Sequence, residues 1–188
     1  MGQEQLYNQI IEQKEKLNQL INEYWTSYSS FDTWYFWFNM VTVIIPLVIL
    51  YFYIDKKKLF EICFFGYTAH MLWANVDNIL SENNILVHPH TLTHLLPFGV
   101  TVTAVLFPVT FMLLYQHCTN RDKNFYMYAA VASLLFAYGF GGISYAVELL
   151  KMHKGMNFTY LFFIDIAVVF VSYWVTKLFC KFKRSHFK

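Results

Sequence analysis

The sequence predicts an all-α polytopic membrane protein, a bundle of about five transmembrane helices with the N-terminus outside and the C-terminus in the cytoplasm. Three observations predict it. Several stretches of about 20 residues lack Asp, Glu, Lys and Arg, the length a helix needs to cross a bilayer. The 188 residues are 57% hydrophobic and 21% aromatic but only 14% charged, whereas a soluble domain carries about 25% charge. The basic residues between the stretches are distributed unevenly, as they are around membrane spans.

Residues 1–32 come first and are predicted to form an amphipathic helix at the outer interface. Leu6, Ile10, Leu17, Leu20 and Tyr24 recur at spacings of three, four or seven, one apolar stripe. Glu12 and Lys16 form an i,i+4 pair on the polar side. Such a helix can lie on the membrane surface, pack on the bundle, or pair with a second copy. The opening MGQEQLYNQIIEQKEKLNQL is polar where a secretory signal would hold its apolar core. Trp25, Trp34, Tyr35 and Trp37 suit an interfacial aromatic belt.

The transmembrane domain is placed at 33–180, with spans near 34–54, 59–80, 92–116, 125–149 and 158–179. The second is the least apolar, holding Glu61, His70 and Asp77. The third is preceded by the polar segment ILVHPHTLTH. Pro46 and Pro108 each remove a helical hydrogen bond and should kink a helix or open a polar gap. On the fourth span, Ala129, Ser133, Ala137 and Gly141 recur every four residues, a small-residue face that lets another helix approach closely. Residues 181–188 form a basic cytoplasmic tail.

Orientation follows from the 14 Lys and Arg residues. Lys56, Lys57, Lys58, Arg121, Lys123, Lys177, Lys181, Lys183, Arg184 and Lys188 share one side. Lys14, Lys16, Lys151 and Lys154 share the other. The richer side is predicted to be cytoplasmic, and the membrane is predicted to be the plasma membrane. Cys63, Cys118 and Cys180 fall toward that side, where thiols stay reduced. A net charge of +2 gives no reason to expect a nucleic-acid partner.

Part of the chain resembles a known family. The segment FDTWYFWF, the IDKKK after the first span, Asp77 late in the second, and Pro108-Val109 followed by MLLYQ at 112–116 are similar to a family of small five-helix integral membrane proteins of spore-forming Gram-positive bacteria. The resemblance runs from about Trp25 to the end of the fourth span. It implies fold and membrane location and brings no activity with it. The chain departs from the family in having no acidic residue between Leu92 and Gln116.

Function must be read from ionisable groups at bilayer depth, where a carboxylate costs about 2.5–3.5 kcal/mol on insertion scales and therefore turns inward. Asp77, Glu148, Asp165 and His70 are the candidates for binding a ligand or proton. Ser172 and Thr176 continue the Asp165 face. Asn39, Thr42, His94 and Thr101 lie at comparable depth. All are expected in the outward half, around one polar cavity. His90 and His94, if helical, would point the same way and could hold a transition metal, with Asp77 or Glu148 as third ligand.

Three functional classes follow. The first is non-enzymatic binding or passage of a small ligand or ion. The second is a structural, accessory or immunity-type subunit that binds another membrane protein or its own copy. The third is a metal-dependent enzyme acting on a lipid-linked substrate. No phosphate loop, nucleophile elbow or CxxC pair is present.

Overall fold

A computed structural model of the chain describes residues 2–95 and 99–186. Residues 96–98, within the span predicted at 92–116, and residues 187 and 188, in the predicted tail, lie outside the described residues. So does residue 1.

The protein is all-α apart from one two-residue ladder. Its helices are α1 (Gln3–Tyr28), α2 (Trp34–Tyr53), α3 (Leu59–Glu82), α4 (Thr101–Asn120), α5 (Phe125–Ala146) and α6 (Phe158–His186). Among the described residues four are long and apolar enough to cross a membrane: α2, α4, α5 and α6 through Lys183. Their outer faces expose Ile44, Ile45 and Val48 on α2, Val131, Leu135 and Ile143 on α5, and Phe163 and Val171 on α6. So much apolar exterior suits hydrocarbon better than water. α3 is about 36 Å long at 1.5 Å per residue, comparable to the others. It buries Ile62, Phe65, Ala69, Trp73 and Asp77 and packs against α4 and α6.

The two ends of the bundle are held by different means. At one end, the α2–α3 and α4–α5 connections meet. The Asp55 amide donates to Gln116 Oε1 at 2.7 Å, Asn120 Nδ2 donates to Asp55 Oδ2 at 3.0 Å, and Lys58 Nζ reaches the Thr119 carbonyl at 3.3 Å. Next to this end Phe65 stacks on Tyr115 with ring centroids 4.7 Å apart, and Phe125 stacks on Tyr173 at 4.3 Å. Tyr115 donates to Glu61, whose carboxylate also faces Lys177 Nζ at 3.4 Å. At the opposite end, β1 (Leu86–Val87) pairs antiparallel with β2 (Lys151–Met152), joining the α3–α4 and α5–α6 connections.

Several boundaries differ from those predicted, each for a local reason. α4 begins at Thr101, not near Leu92. The intervening backbone is committed elsewhere: the Thr93 carbonyl accepts from Thr91 Oγ1 at 2.9 Å, the Leu95 amide donates to Thr93 Oγ1 at 3.2 Å, and the Gly99 amide donates to Asp77 Oδ2 at 3.1 Å. α5 ends at Ala146, not at 149. Glu148 takes the left-handed conformation (φ 62°), with its amide on the Tyr145 carbonyl and the Leu149 amide on the Ser144 carbonyl. That is the two-bond closure that usually selects glycine. α6 runs on through the predicted tail to His186, because nothing in KLFCKFKRSH breaks a helix and basic residues suit its C-terminal end.

α1 stands apart. None of its residues is buried, and Leu6, Ile10, Leu17, Leu20 and Tyr24 are all exposed. It meets the rest of the chain near its C-terminal end, through Tyr24 and Trp25 and through Ser29 just beyond it. Cys63 is exposed and Cys118 is buried, and neither forms a disulfide.

Candidate functional site

A cavity of about 200 Å³ lies between α2, α3, α4, α5 and α6, next to the connection that carries His88 and His90. Two helices widen where they line it. In α4, residues Thr101–Leu106 form a π-helical stretch, and in α5 residues Leu135–Phe140 form another. Such one-turn widenings recur at functional sites.

The first widening has a cause in the sequence. The Phe107 amide bonds to the Val102 carbonyl, five residues back. In that register the Thr103 carbonyl should receive residue 108, but residue 108 is proline and has no N–H. His70 Nδ1 fills the vacancy by donating to the Thr103 carbonyl at 3.0 Å. A carbonyl can only accept, so Nδ1 carries the hydrogen. His70 is thereby a bridge from α3 to α4. It does not line the cavity, contrary to the expectation that it would join the acidic residues there.

Asp77 and Asp165 both line the cavity, each 1% exposed, and they differ in what surrounds them. Asp77 is fully engaged. Its Oδ1 lies 2.9 Å from His88 Nε2, and its Oδ2 accepts the Gly99 amide at 3.1 Å. The arrangement depends on the glycine: a Cβ at residue 99 would sit 2.8 Å from His88 Cε1. Asp165 is not engaged. Its Oδ1 has no hydrogen-bond partner among the described residues, although it is inaccessible to solvent. The Trp73 indole interacts with this carboxyl, yet Trp73 Nε1 is itself without a partner at hydrogen-bonding geometry. A buried donor and a buried acceptor are thus both left open at one wall, an arrangement native interiors rarely tolerate. Behind Asp165, Ser172 and Thr176 are buried and satisfied by their own helix, donating to the Val168 and Ser172 carbonyls.

The remaining polar wall comes from α2 and α4. Thr101 Oγ1 donates to Asn39 Oδ1 at 2.9 Å, while Asn39 Nδ2 donates to the Tyr35 and His90 carbonyls. Thr42 also lines the cavity, as do Ala137 and Gly141 of the small-residue face. Ala129 and Ser133, earlier on that face, are buried.

Three sequence expectations fail here. Glu148 is exposed at the left-handed position past α5, about 4.0 Å from Lys151, and does not line the cavity. His90 and His94 do not lie on a helix and do not form an i,i+4 pair. The His90 ring is sandwiched by packing instead: it stacks on Tyr35 with centroids 3.5 Å apart, and its Nδ1 lies 2.9 Å from Ser29 Oγ. Burial, the largest influence, holds its pKa below the ordinary histidine value. His94 faces Trp25 at 5.4 Å on the α1 side. Among the described residues no three His, Cys, Asp or Glu side chains converge as a metal site would require.

Sequence reasoning also missed two participants. His88, eleven residues after Asp77 and beyond a turn, leaves no periodic signal. Trp73 was legible, because it precedes Asp77 by four residues and shares its helix face.

No protein-family model, curated protein or solved structure matches this chain.

Proposed function

We propose that this protein crosses the plasma membrane five times and binds or passes a small ligand or ion through the cavity between its helices, without enzymatic chemistry. α3 serves as the fifth span in this reading, its ionisable groups accommodated by neighbouring helices instead of by lipid. The connections with Lys56–Lys58 and Arg121 face the cytoplasm, so α1, the β ladder and the cavity face outward. The observation that carries the reading is Asp165: a carboxyl 1% exposed, lining a cavity, with one oxygen unpartnered. A group that expensive in a helical bundle is a functional-site signature.

Cysteine labelling in intact cells tests it, in a background lacking Cys63, Cys118 and Cys180. Ser144→Cys on the cavity wall and Glu148→Cys at the outer end should react with a membrane-impermeant thiol reagent. Asn120→Cys should react only after permeabilisation. Labelling of Glu148→Cys with an inert Ser144→Cys would mean a cavity closed to the outside, and the reading would fail. Labelling of Asn120→Cys alone would reverse the orientation.

A second reading, as an accessory subunit, is favoured by the apolar stripe of α1, which is exposed at Leu6, Ile10, Leu17 and Leu20. It expects Leu17→Cys in intact membranes to cross-link to a defined second polypeptide or to its own copy. A helix lying on lipid would give no such product.

A further inference from the structure

We propose that the cavity takes a small organic ammonium ion with an apolar body. The proposal rests on the reading of this cavity as a ligand site and adds the class of ligand.

Charge decides first. Among the described residues, the ionisable groups lining the cavity are Asp77, Asp165, His88 and His90, with no Lys or Arg. Two carboxyl groups and no fixed cation disfavour an anion at any subsite. Asp77 has both oxygens occupied by His88 and Gly99, so it has little to offer a guest. Asp165 has an open oxygen, and no described residue donates to it. A carboxyl buried without a partner pairs most strongly with a cation that can donate a hydrogen bond.

The walls decide next. Trp73, Phe38, Phe136 and Phe140 line the same cavity as Asp165. Aromatic faces attract a nearby ammonium and also cover an apolar body. An inorganic cation would need several oxygen or nitrogen ligands at one point, and among the described residues no such group of His, Cys, Asp and Glu exists. A neutral guest could satisfy the hydrogen bond but would supply no countercharge. An ammonium on a short aromatic or aliphatic frame satisfies both at once.

The test uses the full chain in nanodiscs, with empty nanodiscs as the blank, and three probes of similar shape: phenethylammonium, 2-phenylethanol and 3-phenylpropionate. Calorimetry should show saturable binding of phenethylammonium at least about tenfold tighter than 2-phenylethanol, the scale of a buried charge-assisted contact, and none of 3-phenylpropionate. Asp165→Asn should abolish the preference for the cation. If 2-phenylethanol binds as well as the ammonium, and Ser144→Phe blocks both, the cation class is wrong while the ligand site stands. If no probe binds saturably, the cation class is also overturned, and the cysteine labelling above judges the site separately. Should Asp165→Asn not be recoverable, the three-probe series on the wild type still decides.

Discussion

Replacing Asp165 with leucine should make the protein more stable while removing its affinity for a cation. Asp165 is 1% exposed, and its Oδ1 receives no hydrogen bond from the described residues. Its carboxyl therefore bears the cost of burial without the usual return. Leucine removes the unsatisfied group and adds apolar contact with Trp73 and Leu161, which also line the cavity. Insertion scales put Asp at about 2.5–3.5 kcal/mol at the centre of a span. Asp165 stands seven residues into α6, short of that centre, so a gain of about 2 kcal/mol is expected. The measurement is the thermal unfolding midpoint in one detergent without added ligand, where a gain of that size is a rise of several degrees. A drop in the midpoint would show that Asp165 holds a stabilising partner, and would count against an open site.

The same kind of change at Asp77 should have the opposite sign. Asp77 is just as buried, but it is the acceptor for both His88 and the Gly99 amide. Asp77→Ala strands the buried Gly99 amide and the part-buried His88 ring N–H, each costing about 1–3 kcal/mol, so a loss of about 3 kcal/mol is expected. Asp77→Asn keeps the volume and one acceptor and should lose about half as much. Gly99→Ala should move the same way by less, because its Cβ would meet the His88 ring at 2.8 Å and push it off the carboxylate. The damage should also spread. His88 begins the connection on which α1 docks, through Thr91 to Trp25 and through His90 to Ser29. Limited proteolysis between α3 and α4 should therefore accelerate in Asp77→Ala together with the loss in thermal midpoint. An unchanged midpoint would make the Asp77 contacts incidental. Two carboxyl groups of equal burial and opposite mutational sign separate a residue that builds the cavity from one that waits for a guest.

How much of this was legible beforehand varies with the kind of signal. Asp165 stood out because an acid between long apolar runs has few structural explanations. The small-residue row from Ala129 to Gly141 was visible as a spacing of four, the helical repeat. Asn39 and Thr101 were seen at similar depth, but their mutual hydrogen bond was not, since it joins residues 62 positions apart. Glu148 was misplaced because periodicity assumes the helix continues. The turn that ends α5 uses a left-handed residue, and glutamate advertises no such preference. His90 and His94 were misread for the same reason. Their segment has a helical spacing, yet the His90 and Thr91 carbonyls are drawn to Asn39 and Trp25 on other elements, contacts between residues far apart in sequence that a local spacing does not reveal.

What the chain order settles by itself is the division into long apolar helices and basic or polar connections. Each depends on the free energy of moving a local stretch out of water, which is a sum over neighbours in sequence. Which buried carboxyl is answered and which is left open is a different kind of question. It depends on His88, Gly99 and Trp73 arriving from separate turns, on Pro108 leaving a carbonyl for His70, and on the gap where five helices fail to close. Hydrogen bonds act over about 3 Å, so only the packed arrangement of the helices determines which groups come within that reach.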